Sequence, residues 1–341
     1  MSFVLKSNKQ SRPVSSIVAT VATVLVVGAT FLTIFFYRDI QDTVRALMYT
    51  PSAQVVSVQE RTGMTGSGAR IFKATGPQIV DAEQFNTSCP RQEAVSPIVG
   101  CYTPDDAIFV YDISNKELDG IKDVTAVHEL LHAVWQRMSL AERKEIGAQL
   151  EEVYSMQSKD GLKERMEYYY RQQSGQEVNE LHSVVGTEVA DLPPALERHY
   201  KKYFNRAAVL ALYEGYSDHY KELSAESQRL KAEANTLAGQ IEDESAAYST
   251  DVEQIEVEIS QFNGRAANGG FTSQSAFLSE RRTLMARVDA LEVRRTTINQ
   301  LIEKHSALEV KYYEIAQEIQ ALNKSIDSFQ EVRQPAGIEA I

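Results

Sequence analysis

Cysteine is scarce in this chain of 341 residues, which contains only two, Cys89 and Cys101. Two cysteines at this spacing match no zinc module, so ligation of zinc by cysteine is not expected. The two residues lie close together in a stretch with Pro90, Pro97 and Gly100. That arrangement favours a disulfide formed in an oxidising compartment, with a free thiol pair as the alternative.

An excess of positive charge is also lacking. The chain has 35 Lys and Arg against 47 Asp and Glu, which gives a net charge of −12. Proteins that bind nucleic acid usually need a positive surface to neutralise phosphates, so nucleic acid is not expected as a partner. The composition suits an exported soluble domain.

Charge is missing altogether from one long apolar segment near the N-terminus. Residues 14–37 are uncharged and long enough to cross a bilayer as one helix. Lys6, Lys9 and Arg12 precede them, so residues 1–13 are predicted to be a cytoplasmic tail and the bulk of the chain extracytoplasmic. We therefore expect a single-pass protein of the cell membrane, with residues 38–59 as a linker. A cleavable signal peptide, ending near Val27-Gly28-Ala29, is the alternative.

The motif His128-Glu129-Leu130-Leu131-His132 is the strongest indication of chemistry. The segment 121–138 around it has no Gly or Pro, and its apolar residues recur every three or four positions, which predicts a helix. Two His residues four apart share one face of a helix and can bind one Zn²⁺, while Glu129 reaches a water on that metal. An ordinary core helix with two neutral His residues is the alternative.

These residues resemble the active-site helix of the zincin metallopeptidases. The resemblance implies an α+β domain in which Zn²⁺ activates water to hydrolyse peptide bonds and Glu129 is the general base and acid. It also implies an edge strand, here Ala107–Ile113, that pairs with the substrate backbone. The metzincin subfamily is excluded, because Trp135 and Met138 occupy the positions of its Gly and third His.

A third zinc ligand is suggested by Asn179-Glu180-Leu181-His182-Ser183, which is similar to the Asn-Glu-x-x-Ser stretch of the gluzincins. That similarity implies Glu180 as the ligand, although Val184 replaces the usual Asp and the gap from His132 is long. The alternative ligand is Glu188, because Gly186-Thr187-Glu188 is similar to an aspzincin pattern. Glu180 would otherwise be a solvated charge on a helix.

A proton donor that stabilises the transition state can also be sought nearby. The chain offers four candidates: His182, His199, Tyr200 and Tyr203. A packing role is the alternative for each, since the chain has sixteen Tyr residues and a lone His is usually structural.

Beyond residue 205, Gly and Pro nearly vanish and apolar residues recur every seven positions. This pattern predicts an antiparallel coiled-coil hairpin over residues 206–332, with its tip at 263–273 and a tail at 333–341. Such an arm can serve as a spacer, a site of self-association or a surface for a protein partner.

Together these patterns predict an α+β, mainly α protein: a transmembrane helix, a zincin-like domain at 60–205 and the hairpin. The predicted function is a membrane-anchored extracytoplasmic zinc endopeptidase that acts on proteins or peptides. The alternative is a cell-surface interaction protein whose coiled coil does the work and whose metal site is structural or inactive.

Overall fold

The computed structural model describes residues 14–90, 98–156, 162–163, 166 and 175–329. They form a mainly helical structure with one small sheet, so the α+β, mainly α prediction is confirmed at that level. The predicted tails at 1–13 and 333–341 lie outside the described residues. The elements are α1 (Val14–Met48), α2 (Ala53–Arg61), α3 (Gly66–Ala74), β1 (Gln78–Val80), α4 (Ala82–Ser88), β2 (Gly100–Tyr102), β3 (Ile108–Tyr111), α5 (Ile121–Arg137), α6 (Leu140–Met156), α7 (Glu177–Glu188), α8 (Pro194–Tyr200), α9 (Arg206–Ala267) and α10 (Gln274–Ile326).

The chain divides into two compact units. One contains the described residues up to Tyr216 together with those from Ser325 onward, and the other contains Ser217–Lys324. The first unit holds the sheet and α1 to α8. The second holds most of α9 and α10.

Helix α1 covers the predicted membrane segment 14–37 and continues to Met48. In the part of the chain that the structure describes, no helix is both long enough and apolar enough for a membrane span. Residues 38–59 are not the linker that we predicted. No Gly or Pro lies between Tyr37 and Pro51, so α1 continues to Met48, and Ser52 then caps α2, which buries Val55 and Val58 in the core.

The sheet has the strand order β1-β3-β2. Strand β3 pairs in parallel with β1 and antiparallel with β2, with Ile79 opposite Val110 and Cys101 opposite Phe109. Strands β2 and β3 are consecutive in the chain and form a hairpin. The prediction that the strand within 107–113 is an edge is wrong, because β1, which the sequence analysis missed, covers its other side. The edge strand of that hairpin is β2.

Helix α5 crosses the core of the first unit. Its predicted apolar face is buried: Val124, Val127, Leu131, Val134 and Met138 are each at most 9% exposed. Leu130 and Ala133 on the other side are fully buried as well. A helix enclosed on most sides holds its polar side chains in fixed positions, which is the requirement for a site built on it.

The predicted disulfide is confirmed. Cys89, which caps α4, is bonded to Cys101 in β2, with the two Cα atoms 6.0 Å apart. The bond closes a short loop and fastens the edge strand β2 to α4, which limits how far β2 can move away from the sheet.

In the second unit, α9 and α10 run antiparallel. Ion pairs join Arg265 to Glu280 and Arg294 to Asp251, so positions later in α9 meet earlier positions in α10. Ile255, Phe262 and Leu284, all on the predicted heptad rows, are buried together. The turn is shorter than the predicted tip at 263–273. Helix α9 continues through the Gly-Arg-Ala-Ala segment to Ala267, so the turn covers only residues 268–273.

Candidate functional site

The site lies where α5 packs against α7. Gly186 permits this close approach, because a Cβ atom there would lie 2.6 Å from the Leu131 side chain and 2.6 Å from the Tyr200 ring. One helix contributes His128, Glu129 and His132, and the other contributes Glu180. Glu180, which follows His132 by 48 positions in the sequence, is thereby brought next to the motif.

Three side chains converge there. His128 Nε2 lies 3.3 Å from Glu180 Oε1, and His132 Nε2 lies 3.4 Å from Glu180 Oε2. One ligand atom from each residue falls within 4.8 Å of the other two. The His side chains are 18% and 14% exposed, so the cluster remains accessible from one side, whereas the Glu180 side chain is 7% exposed. This donor set can hold a metal ion.

The bonding of Glu180 agrees with that interpretation. Its Oε1 atom is buried and accepts no hydrogen bond from the described residues, although His128 Nε2 is only 3.3 Å away. A buried carboxylate oxygen without a partner is costly unless something else satisfies it, and a shared cation would do so. Burial alone would lower the pKa of His128, but the Glu180 carboxylate beside it raises that pKa to about 9. The same imidazoles hold the pKa of Glu180 well below its ordinary value, against the effect of burial.

His132 is held by two residues whose role the sequence analysis missed. Its Nδ1 atom lies 3.1 Å from Asn179 Oδ1 and 3.3 Å from Ser183 Oγ, which leaves Nε2 to face Glu180. Partners of this kind fix the ring and the tautomer of a ligating His. The sequence does contain a signal for this role. Asn179 and Ser183 are four residues apart, so they share one face of the helix with Glu180 in the Asn-Glu-x-x-Ser stretch.

Glu129 projects toward the edge strand. The main-chain amide of Tyr102 favours the charged form of its carboxylate, and a Cβ atom added at Gly100 would lie 2.8 Å from its Oε1. Only glycine lets β2 come this near to α5. Burial raises the pKa of Glu129 above its ordinary value, which the neighbouring His132 and His128 oppose. A carboxylate with a raised pKa beside a cluster of ligands is suited to accept and return a proton.

The four candidate proton donors pack together: His182, His199 and Tyr200 are buried, and Tyr203 is partly buried. His182 and His199 share a hydrogen bond of 2.8 Å between their Nε2 atoms, and the Tyr200 hydroxyl donates to the His182 carbonyl at 2.8 Å. The His199 and Tyr203 rings lie 5.6 Å apart. Burial lowers the pKa of His182 well below its ordinary value and that of His199 to about 4. These contacts favour the packing alternative for the cluster.

Glu188, the alternative ligand, is the last residue of α7. Its negative charge contributes to the raised pKa of His128, but the cluster of ligand atoms that forms with the two His residues contains Glu180. The geometry therefore favours Glu180.

Comparison with known proteins adds no relative. No protein-family model, curated protein or solved structure matches this chain.

Proposed function

We propose that the protein is a zinc-dependent endopeptidase with His128, His132 and Glu180 as the metal ligands and Glu129 as the general base and acid. The observation that carries the proposal is the convergence of two imidazoles and one carboxylate from α5 and α7. The resemblance of the His-Glu-x-x-His motif to the zincins supports the reaction class.

The spacing of the cluster suits zinc in particular. Two atoms that each lie roughly 2.0–2.1 Å from a tetrahedral zinc are separated by about 3.3 Å. The two distances from His nitrogen to Glu180 oxygen are 3.3 and 3.4 Å. Two His and one carboxylate are also a ligand set that catalytic zinc sites use, with a fourth position left for water. A structural site would require a fourth protein ligand, and the described cluster contains three.

Zinc bound there would acidify a water and polarise the scissile carbonyl. Glu129 directly follows the ligand His128 on α5, and its carboxylate faces β2, so we expect it to take a proton from the attacking water. It would later return that proton to the leaving amine. Strand β2, as the edge beside Glu129, replaces β3 as the element that we expect to receive an extended peptide.

The direct test replaces Glu129 by Gln. This change removes proton transfer but keeps the size of the side chain and all three ligands, so zinc content should stay near one per chain while peptide hydrolysis falls by several orders of magnitude. The matched control is Glu151→Gln, an exposed residue of α6, which should hydrolyse the same unstructured protein substrate at the unmodified rate. Equal hydrolysis by the Glu129→Gln and Glu151→Gln variants would contradict the proposal.

The membrane anchor and the extracytoplasmic location belong to this proposal as well. The uncharged segment 14–37, the basic residues before it and the disulfide are the features that support them.

A further inference from the structure

Arg137, the last residue of α5, is held between two carboxylates. Its Nε and Nη2 atoms donate to Asp42 of α1 at 2.7 and 2.8 Å, and its Nη1 and Nη2 atoms donate to Asp106 at 2.9 Å each. The guanidinium also donates to the Ala133 carbonyl at 3.0 Å. The Arg137 and Asp42 side chains are only 8% and 5% exposed. Two bidentate ion pairs that are largely shielded from water hold the guanidinium in one orientation and neutralise the carboxylates.

Asp106 continues this chain of contacts to the edge strand. It lies in the turn between β2 and β3 and has φ of 61°, which is an uncommon conformation for a residue with a side chain. Its carboxylate accepts the Tyr102 hydroxyl at 2.8 Å. On the same strand, a Cβ atom added at Gly100 would lie 2.8 Å from Glu129 Oε1. A series of hydrogen bonds therefore runs from α1 to β2, and β2 in turn packs against the Glu129 carboxylate of α5.

The charges of this series balance one another. Arg137 neutralises two acidic groups, and Arg45, which is half exposed, also contacts Asp106 at 2.9 Å. Although burial acts in the opposite direction, the guanidinium lowers the pKa of Asp106. Removing one partner of a buried pair leaves the other charge without compensation, so the remaining groups must move or admit water.

An anchor or a linker has no need of such contacts. The ion pair between Asp39 of α1 and Arg70 of α3, at 3.0 Å, is exposed and of the kind that contributes little to stability. The buried contacts of Arg137 with Asp42 and Asp106 differ from that exposed pair. They join α1 to the C-terminal end of α5, which carries the motif, and to the turn next to the edge strand β2.

We infer that α1 is a working part of the site, in which Asp42 and Arg137 are positioning residues that hold β2 against Glu129. The effect on catalysis rests on the proposed function, whereas the effect on the position of β2 does not. A catalytic fragment that begins after Asp42, for example at residue 60, would therefore have a loosened edge strand and weak activity even with its metal ligands intact.

The test compares Asp42→Asn with Asp39→Asn, a change of the same kind on the same helix. Both variants should keep about one zinc per chain, because the ligands lie on α5 and α7. Hydrogen exchange at the Tyr102 amide should be at least about tenfold faster in Asp42→Asn and unchanged in Asp39→Asn. With a peptide substrate, kcat/KM should fall at least about tenfold in the first variant and stay within about twofold in the second.

A second variant covers the case in which Asp42→Asn does not fold. Tyr102→Phe removes only the hydroxyl that contacts Asp106 and leaves no buried charge unpaired, so we expect a folded protein with faster exchange at residue 102 and lower kcat. Unchanged exchange at residue 102 in the folded variants would overturn the inference. If the unmodified protein hydrolyses no peptide while exchange responds to Asp42→Asn, the proposed function fails and the coupling of α1 to β2 stands.

Discussion

Gly100 is the residue whose size most directly limits the site. A Cβ atom at this position would lie 2.4 Å from Thr125 Cγ2 and 2.8 Å from Glu129 Oε1, both on α5. Either β2 or the Glu129 side chain must then move. The absence of a side chain at Gly100 is therefore a requirement of the contact between the edge strand and the motif helix.

We predict that Gly100→Ala destabilises the fold by about 1–3 kcal/mol, the usual cost of overpacking, and lowers kcat while the zinc content is kept. Denaturant unfolding, metal analysis and a peptidase assay measure these effects. Gly66→Ala is the control, because nothing lies within 4 Å of a Cβ atom there. Equal stability and activity of the two variants would contradict the prediction, because it would show that the space between β2 and α5 accommodates a methyl group.

His199 gives the fold a dependence on pH. Burial lowers its pKa to about 4, below the roughly 6.5 expected in the unfolded chain. The unfolded state therefore binds more protons between these values. The contribution of His199 to stability is complete above pH 6.5 and is lost as the pH falls toward 4.

We predict that His199→Gln reduces this dependence by on the order of 2 kcal/mol between pH 7 and pH 4.5. Unfolding of metal-free protein can be followed by fluorescence, because the single tryptophan, Trp135, lies with its ring 5.2 Å from His182. His305→Gln on α10 is the control and should retain the pH dependence of the unmodified chain. The prediction is wrong if both variants follow the same pH curve.

The residues of the site differ in how far they could be predicted from the sequence. His128 and His132 follow from a local rule, because a spacing of four residues places two side chains on one face of a helix. Glu180 required the resemblance to the gluzincins, since its position depends on the packing of α7 against α5. Arg137 and Asp42 carry no local signal. Their contact joins residues 95 positions apart and appears only when α1 is placed against the domain.

At the scale of elements, the helices were easier to predict than the sheet. The long apolar periodicity of α5 is a strong signal, and the bounds predicted from it agree closely with Ile121–Arg137. Strand β1 has three residues, which is too short for alternation to be visible. Missing β1 led to the wrong edge, because the order of strands depends on long-range pairing and not on the composition of β3.

The ends of the long helices show a related difficulty. Gly264 and the residues after it suggested a turn, yet α9 extends to Ala267 because a single glycine inside a long packed helix costs only about 1 kcal/mol. The neighbouring cluster of Phe262, Phe271 and Phe277, with ring centroids 5.1–5.2 Å apart, stabilises the end of the hairpin. Tertiary packing decides such boundaries.

At the scale of the whole molecule, the proposed metal ligands and most of the hairpin belong to different compact units. All three proposed ligands belong to the first unit, and residues 217–324 make their own core. We predict that deleting Ala234–Leu308 and joining the ends by a short turn leaves zinc content and cleavage of a small peptide within about twofold of the full chain. Cleavage of a protein substrate that the hairpin recognises should fall.

Metal analysis and two assays, with a peptide and with an unstructured protein, check this prediction. Loss of zinc or of peptide hydrolysis in the shortened protein would mean that the hairpin supports the site itself, and its proposed role in reach or recognition would have to be abandoned.

The central claim is that His128, His132 and Glu180 bind a catalytic zinc ion, and metal content tests it most directly. Protein purified without chelator should contain about one zinc per chain, and Glu188→Ala should retain it. Glu180→Ala should lose most of the metal, because the remaining two His residues form an incomplete site. Absence of zinc from the unmodified protein, with no uptake when zinc is added, would contradict the claim.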